Sequence, residues 1–510
     1  MNNNLVLDVE DNPKKVAEWF IFALQHILAM LVACITVPLI TGLPVAATLI
    51  AAGMGTIIYI ICTKKKSPVF LSSSFAYIAP MTTALATGGI AKVLSTGDTL
   101  DGNYAAIMIG MALVGLVYVL VAVLIHFVGA KWLNKLLPPI VIGPVIMVIG
   151  LSLAGSAINN LTVNSGASVG YSWPAIICGL VAMFTTALVA HYGKNHFISL
   201  IPFVIGISAG YVIALIFTGF AYIFDVDYLR VISFKPFEAI FSKDTISFAS
   251  FVNYKIFVPN SDESFIFLRF DQIKQFNPAD IITILGLFVP VALVTVCEHI
   301  GDHENLGSII GRDLLNEEPG LQRTLLGDGL ATAASGVICG AANTTYGENV
   351  AVIGTTKIAS VNVVLLAAIL SIVIGFITPL TALLSTIPSC VTGGVSLILY
   401  GFIASSGVKM LIAEKVNFNI PRNIFIASVI LVAGIGGLVF TWTLPGFNGN
   451  AVTITITPVA VAMILGILLN VILWERSSDK VESEEKPANN EEAKVEPVEE
   501  IQEVENEERA

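Results

Sequence analysis

The sequence predicts an all-α polytopic membrane protein with 14 transmembrane spans. Of its 510 residues, 55% are hydrophobic and only 12% are charged, about half the charged fraction of a soluble domain. The uncharged apolar runs are about 18–25 residues long, the length of spanning helices rather than of barrel strands. Basic residues recur in alternate loops, a pattern typical of multi-pass helical proteins. Together these observations place the chain in the lipid bilayer.

Fourteen apolar segments account for the predicted spans. An even number of spans puts both termini on one side of the membrane. The loops on that side carry most of the lysines and arginines, whereas the short opposite loops carry little beyond Lys92. Basic loops stay in the cytoplasm, so both termini are expected there, with the chain in the plasma (cell inner) membrane. The predicted spans are 18–40, 43–62, 70–90, 103–128, 136–156, 171–191, 197–218, 280–304, 324–341, 344–360, 362–386, 389–407, 422–441 and 451–474.

The segments outside the spans have their own signatures. Residues 1–17 are acidic and lack an apolar stretch, so no cleavable signal peptide is expected. Residues 219–279 form one long extracellular segment. Residues 475–510 contain 14 acidic and 5 basic residues, which is most of the net charge of −11, and are expected to be a disordered cytoplasmic tail. The negative charge of the chain is therefore located mainly in the tail and not on a partner-binding surface, and no nucleic-acid partner is expected. The six cysteines lack metal-ligand spacing, and no cofactor is expected.

The two halves of the chain resemble each other weakly. Three short matches occur in the same order in both halves, and seven spans per repeat would insert the second copy upside down. This predicts a 7+7 inverted repeat, an organisation found in many secondary transporters. The matches are Gln25-His26-Ile27 with Glu298-His299-Ile300, Ser73-Ser74-Phe75-Ala76 with Thr344-Thr345-Tyr346-Gly347, and Pro138 and Gly143 with Pro388 and Gly393.

Spans 3 and 10 begin with residues that form helices poorly. Residues 69–75 and 342–347 are short, polar or β-favouring. Each span is therefore predicted to be a short strand followed by a half-helix. Irregular backbone at membrane depth persists only where it is buried in protein or lines a cavity. The half-helices would direct free N–H groups at a substrate near the membrane midplane.

Two glutamates interrupt apolar sequence in the second half. Glu298 follows residues 281–296, which carry no charge, and Glu348 lies between apolar residues 331–342 and 350–354. A carboxylate at membrane depth costs at least ~3 kcal/mol, so such residues usually serve a function. The alternative is a structural polar pair that bridges helices. Asp302, one turn after Glu298, is either a proton-coupling residue or a charge at the cavity rim.

These groups define the chemistry of a ligand. Glu298 and Glu348 would accept hydrogen bonds, and backbone N–H groups near Phe75 and Gly347 would donate them. The complementary ligand is small and flat, with N–H donors beside carbonyl acceptors, as in uracil. The residues by themselves indicate a small polar heterocycle or a similar amide.

Several motifs resemble those of the nucleobase–ascorbate transporter family (nucleobase:cation symporters). The resemblance covers residues 18 to 474 except the long outer segment, and the run from Asn343 to Asn349 is the most specific part. The motifs are Gln25-His26, Ser73-Ser74-Phe75-Ala76, Glu298-His299-Ile300-Gly301, Pro319-Gly320-Leu321, Asn343-Thr344-Thr345-Tyr346-Gly347-Glu348-Asn349 and Gly393-Gly394-Val395-Ser396-Leu397.

The resemblance implies proton-coupled uptake by alternating access. A core domain (residues 18–128 and 280–386) would move against a gate domain (residues 136–218 and 389–474). Family members form dimers, so the resemblance implies a homodimer. Glutamate at 348, where xanthine and urate transporters usually have glutamine, favours uracil, with a purine symporter as the alternative.

The resemblance also assigns site residues. It implies that Glu298 and Glu348 bind the pyrimidine and that the backbone N–H groups of Phe75 and Gly347 hold its carbonyls. Tyr346 and Tyr400 would line the cavity, and His26 would support it.

The sequence departs from the family pattern at the position four residues after Glu298. Asp302 stands where a well-studied uracil transporter of the family has histidine, which leaves the proton carrier open between Glu298 and Asp302. Smaller departures are Ala351 in place of glycine and Lys357 in place of arginine.

The remaining polar residues of the second half allow structural interpretations and two other function classes. His26 and His299 are interpreted as hydrogen-bond donors that bridge helices, and His303 and Glu304 as solvated residues at the cytoplasmic end. A metalloenzyme using His299, Asp302 and His303 would lack the H-E-x-x-H spacing. A passive channel is the second alternative, although buried carboxylates at broken helices suit binding better than free flow.

Overall fold

The computed structural model is that of a mostly helical, polytopic membrane protein. It describes residues 5–86, 102–129, 131–164, 171–193, 201–241, 251–252, 278–445 and 451–473, together with residues 273 and 276. The predicted acidic tail, Lys92 and most of the predicted extracellular segment lie outside the described residues.

The N-terminal half consists of helices and one two-residue strand. A 3₁₀ turn, Phe75–Tyr77, joins that strand to the helix after it. The elements are α1 (Val16–Thr41), α2 (Val45–Cys62), β1 (Ser72–Ser73), α3 (Ile78–Leu85), α4 (Tyr104–Val128), α5 (Lys131–Leu136), α6 (Pro139–Ser152), α7 (Ala154–Thr162), α8 (Trp173–Tyr192), α9 (Pro202–Phe224) and α10 (Lys235–Phe241).

The C-terminal half repeats the combination of long helices with one short strand and adds a hairpin near its end. The elements are α11 (Ile281–Ile310), α12 (Gly320–Val337), β2 (Asn343–Thr344), α13 (Gly347–Thr356), α14 (Val361–Phe376), α15 (Thr378–Ser385), α16 (Ser389–Ala413), α17 (Pro421–Ile435), β3 (Phe440–Pro445), β4 (Ala451–Ile456) and α18 (Pro458–Ile472).

Within the described ranges, eight helical stretches are long and apolar enough to cross a membrane: α1, α2, α4, α6 with α7, α8, α9, α11 and α16. Four shorter apolar stretches accompany them: the 3₁₀ turn with α3, α14, α17 and α18. The polytopic part of the predicted fold is therefore confirmed.

The prediction of helix is wrong for residues 440–441 and 451–456, where the predicted spans 13 and 14 contain strand instead. β3 pairs antiparallel with β4 across six residue pairs, from Phe440 with Ile456 to Pro445 with Ala451. Helices α17 and α18 are correspondingly shorter than the predicted spans 422–441 and 451–474. The physical reason is visible in the sequence, because Thr441, Thr443 and Thr453 alternate with larger apolar residues in the pattern of a strand.

The helices pack in two groups. In one group, α2 packs against α12 and α14, and α4 packs against α11 and α12. In the other, α8 packs against α9 and α16, and α6 packs against α16 and α17. Helix α11 also contacts α6, α18 and β4, so this helix lies at the junction of the two groups.

Small residues allow the closest helix approaches. A Cβ added to Gly394 of α16 would collide with the backbone of Gly179 in α8, and one added to Gly53 of α2 would collide with the carbonyl oxygen of Ala368 in α14. Close backbone contact of this kind is the usual mode of helix association in membranes.

The segment that precedes α1, which includes residues 7–9, contacts the chain near the ends of both α11 and α13. The backbone N–H of Ala359 donates to the carbonyl of Leu7, and the N–H of Val361 donates to that of Val9. Arg312, just beyond α11, lies 3.0 Å from a carboxylate oxygen of Asp8. The segment therefore connects the chain beyond α11 with the turn that follows α13.

Candidate functional site

The site is built around the pairing of β1 with β2. The strands are antiparallel, with Ser72 opposite Thr344 and Ser73 opposite Asn343. These are the two short strands that the sequence predicts before the half-helices of spans 3 and 10. Because each strand has only two residues at about 3.3 Å per residue, the helical turns that follow start close together.

Each strand is followed by a helix start at a predicted site residue. Phe75 begins the 3₁₀ turn before α3, and Tyr346 is the residue that precedes α13, with Gly347 and Glu348 in its first turn. The first N–H groups of a helix have no partner inside that helix. Hydrogen-bond donors and the positive end of the helix dipole are thus available to a ligand near Phe75 and Gly347.

Helix α11 brings Asp302 to the start of α13. The Thr345 hydroxyl donates to Oδ2 of Asp302 at 2.6 Å. A Cβ added to Gly347 would lie 3.4 Å from Oδ1 of the same carboxylate, so this position leaves little room between the two helices. Asp302 therefore contacts the segment that carries Glu348.

Glu298 contributes an unsatisfied acceptor to this region. Its Oε2 is buried and has no hydrogen-bond partner among the described residues. The side chain lies within electrostatic range of Asp302 and Glu348. A buried polar atom without a partner costs about 1–3 kcal/mol, so a ligand that donates a hydrogen bond here would relieve that cost.

Other polar atoms around the site share this property. In the described part of the chain, the Tyr346 hydroxyl, the Ser74 hydroxyl and Nδ2 of Asn349 are buried without partners. They lie next to Phe75, Gly347 and Glu348 in sequence. Several orphaned polar atoms in one place are typical of a site that a polar ligand or water completes.

Tyr400 connects the second group of helices to the site. Its ring meets the Phe75 ring edge to face, with centroids 5.4 Å apart and an interplanar angle of 80°. Both side chains are buried, with exposed fractions of 2% for Tyr400 and 4% for Phe75. This aromatic contact joins α16 to the start of the first half-helix.

His26 supports the first turn of α13. Its Nδ1 lies 3.0 Å from Oδ1 of Asn349, and both residues are buried. Because an amide oxygen only accepts, His26 donates this hydrogen bond. The bond joins α1 to the residue after Glu348, in agreement with the interpretation of His26 as a bridge between helices.

The structure adds a carboxylate that the sequence analysis missed. Oδ2 of Asp328 in α12 lies 2.8 Å from Nδ1 of His299, and both side chains are fully buried. His299 thus bridges α11 and α12, as interpreted. The signal for Asp328 was present, because it interrupts the predicted span 324–341 and the cost of charge at membrane depth applies to it equally.

The expected exposure of His303 is wrong. His303 is fully buried, and its Nε2 lies 2.6 Å from the Tyr59 hydroxyl. Glu304, which shared that prediction, is partly exposed. The physical reason is helical periodicity, since residues four apart share a face and His303 therefore follows His299 inward.

Comparison with known proteins identifies the family of the chain. A family model described as "Permease family" (Xan_ur_permease) matches residues 17–443. The chain is 41% identical over 471 residues to a uracil permease of Bacillus caldolyticus, covering 92% of this chain and 95% of that protein. It is 36% identical over 481 residues to a uracil permease of Bacillus subtilis, covering 94% and 98%.

The fold also resembles a solved structure of another transporter. The murine Solute Carrier 26 family member A9 anion transporter, in its inward-facing state, matches with a TM-score of 0.57 at 9% identity, covering 91% of this chain and 69% of that one. At this identity the likeness concerns the fold alone. The family model and the relatives at 36–41% identity carry the assignment: the chain is a multi-pass membrane transporter, not an enzyme, and belongs to the permease family of nucleobase–ascorbate transporters.

Proposed function

We propose that this chain is a proton-coupled uracil symporter of the plasma membrane that works by alternating access. The observation that carries the proposal is the unpartnered Glu298 carboxylate oxygen, within electrostatic range of Glu348 and beside the first turn of α13. Uracil is favoured because relatives at 41% and 36% identity are named uracil permeases.

The geometry supports specific roles in recognition. Glu298 and Glu348 accept hydrogen bonds from the two ring N–H groups of uracil. The backbone N–H groups of Phe75 and Gly347 donate to its carbonyl oxygens, as helix starts do for anionic or polar groups. Because these groups are buried, each hydrogen bond contributes to the selectivity for the ligand. A ligand that lacks one of the donors would leave a buried carboxylate unpaired.

The rings around the site would complete the pocket. Phe75 and Tyr400 already contact each other, and Tyr346 lies at the start of α13. A flat base would pack against these rings, and its insertion would change the Phe75–Tyr400 contact. His26 holds the first turn of α13 through Asn349 and thereby supports Glu348.

The proposed architecture is a 7+7 inverted repeat with cytoplasmic termini. A described helix lies in each of the fourteen predicted segments, and the antiparallel pairing of β1 with β2 suits two copies of opposite orientation. Spans 1–4 with 8–11 would form the core domain, and spans 5–7 with 12–14 the gate domain. We propose a homodimer on the family resemblance.

Proton coupling is assigned to Glu298 and Asp302. They are one turn apart on α11, the helix at the junction of the two helix groups. Protonation of one of the two carboxylates, Glu298 or Asp302, from outside would accompany substrate binding and allow the core to move, and the proton and the base would then be released in the cytoplasm. Asp302 accepts a hydrogen bond from Thr345, next to the proposed substrate-binding turn. Protonation of Asp302 would therefore change a contact between α11 and that turn.

The test is uptake of radiolabelled uracil into proteoliposomes with and without an inward proton gradient. Accumulation that requires the gradient, collapses with a protonophore and persists in excess xanthine is expected. Inhibition by xanthine would favour a purine symporter, and equilibration that ignores the gradient would favour a channel. Absence of uracil transport by the protein would reject the proposed substrate.

A further inference from the structure

We propose that His299 and His303 form a clamp that sets the rotation of α11 and so aims Glu298 and Asp302 at the substrate. The inference rests on the proposed function, because it assigns a purpose to the direction in which the two carboxylates point. The clamp partners are Asp328 of α12 and Tyr59 of α2, neither of which belongs to the proposed substrate contacts.

Two pairs of residues lie side by side on α11. Glu298 and Asp302 are four residues apart, as are His299 and His303, so each pair shares a helix face. The two faces differ by about 100°, the turn of one residue. Asp302 meets Thr345 just before α13 on the face that it shares with Glu298, whereas the imidazoles face α12 and α2.

The imidazoles attach α11 to two different helices. Nδ1 of His299 lies 2.8 Å from Asp328, and Nε2 of His303 lies 2.6 Å from the hydroxyl of Tyr59. All four side chains are fully buried, and the two rings are stacked with centroids 4.0 Å apart. Attachments at two successive turns to two neighbours resist rotation of the helix more strongly than one attachment would.

The direction of the hydrogen bonds distinguishes a clamp from a proton wire. Nδ1 of His303 lies 2.7 Å from the backbone carbonyl of His299 and must donate to it, because a carbonyl only accepts. Nε2 of the neutral ring then accepts from Tyr59. A chain of donors that ends on a backbone carbonyl has no acceptor that can pass a proton onward.

The chain of donors extends one residue beyond Tyr59. The Ser67 hydroxyl lies 2.9 Å from the Tyr59 hydroxyl, and it donates to Tyr59 once Tyr59 donates to His303. The position of His303 is thus determined by groups on α2 and on the chain that follows it. This arrangement orients the ring and holds it in one tautomer.

Rotation of α11 would matter for binding because the carboxylates extend far from the helix axis. With side-chain tips about 5–6 Å from the axis, a 20° rotation moves a carboxylate by about 2 Å. Hydrogen bonds weaken steeply beyond about 3.2 Å. Loss of one clamp bond is therefore expected to weaken substrate binding without any change in the substrate-binding residues themselves.

The central experiment is Tyr59→Phe, which removes the hydroxyl and keeps the ring. We expect uracil binding to weaken by about 5–20-fold, as for the loss of one buried hydrogen bond, while the number of protons moved per uracil stays the same. Tyr211→Phe is the matched control, because its hydroxyl makes a 2.8 Å bond to Thr386 away from α11. The control should bind uracil as the wild type does.

A second pair of variants tests the clamp at His303. The amide oxygen of His303→Gln can still accept from Tyr59, whereas His303→Leu cannot. Binding by the Gln variant should stay close to the wild type, and binding by the Leu variant should fall at least as far as in Tyr59→Phe. Equal loss in both variants would overturn the proposal, because packing rather than the bond would then be responsible.

A readout without uracil separates this proposal from the proposed function. Labelling of Glu298 by an apolar carbodiimide, followed by mass spectrometry, reports the exposure of its carboxyl group. We expect the labelling rate to change several-fold in Tyr59→Phe and to stay the same in Tyr211→Phe. If the wild type does not bind uracil, the proposed function fails and the labelling still decides the clamp.

The outcomes that reject the clamp are distinct. Wild-type labelling of Glu298 in Tyr59→Phe would show that the carboxylate is aimed without this bond. Normal uracil binding combined with a changed proton stoichiometry would instead identify a proton pathway through His303 and Tyr59.

Discussion

Replacement of Glu298 by glutamine tests the centre of the proposed site. Oε2 of Glu298 has no partner among the described residues, so the substitution removes no hydrogen bond at that atom within the protein. It does remove the charge that would strengthen a bond to a substrate N–H. Hydrogen bonds to charged groups contribute about 1.5–3 kcal/mol and those between neutral groups about 0.5–1.5 kcal/mol. The glutamine amide oxygen still accepts, so the substitution should cost about 1–1.5 kcal/mol. Because each 1.4 kcal/mol is tenfold in affinity, uracil binding should weaken by about 5–12-fold.

Stability is expected to respond differently from binding. Glu298 lies within electrostatic range of Asp302, Asp328 and Glu348, all acidic. Loss of one acidic group from such a cluster removes repulsion, so the melting temperature of Glu298→Gln should equal or exceed that of the wild type. The combination of weaker binding with undiminished stability is what distinguishes a substrate contact from a structural bridge.

The assay is equilibrium binding of radiolabelled uracil to detergent-solubilised protein, with thermal unfolding of the same samples. Glu304→Gln serves as the matched control, because it makes the same change on the same helix at a partly exposed position outside the site. Wild-type affinity together with intact accumulation in Glu298→Gln would refute the reasoning. A large fall in melting temperature would point to the structural alternative.

Three further predictions concern proton coupling, helix packing and the loop before α12. Asp302→Asn should preserve uracil binding and abolish gradient-driven accumulation in proteoliposomes; intact coupling with lost binding would reject the assigned role. Gly394→Ala should destabilise the protein by about 1–3 kcal/mol through overpacking, measured by thermal unfolding against Gly401→Ala, where a new Cβ meets nothing within 4 Å. A hydrogen bond from Lys66 lowers the pKa of Glu318 in the loop before α12. The ionised Glu318 therefore stabilises the folded protein slightly at pH values above the ordinary glutamate pKa. This stabilisation is lost as the pH falls through the lowered pKa. Glu318→Gln should flatten that part of the acid-stability profile, and an unchanged profile would contradict it.

Local sequence signals predicted the short strands and the residues around them. Residues 72–73 and 343–344 form the paired strands, because short polar and β-favouring residues disfavour a helix there. Glu298 and Glu348 were found because charge at membrane depth is expensive. Each of these inferences depends on a residue and its immediate neighbours in sequence.

The contacts of α11 could not be derived in this way. That Asp328 would meet His299, or that Tyr59 would meet His303 across 244 positions, depends on which helix packs beside which. Hydropathy identifies a helix as membrane-spanning but says little about its rotation when nearly every face is apolar. The burial of His303 follows from its spacing of four residues from His299, but its partner Tyr59 depends on helix packing.

The sequence by itself determined the class of protein, the two short strands with the helices that follow them, and the two glutamates of the proposed site, because composition, propensity and the cost of buried charge act locally. Only the tertiary structure decided which face of α11 meets the site, which residues hold that helix, and that Tyr400 reaches Phe75. Those features depend on the packing of helices distant in sequence. In an apolar environment such packing is directed by a few hydrogen bonds and close contacts, not by the hydrophobic pattern.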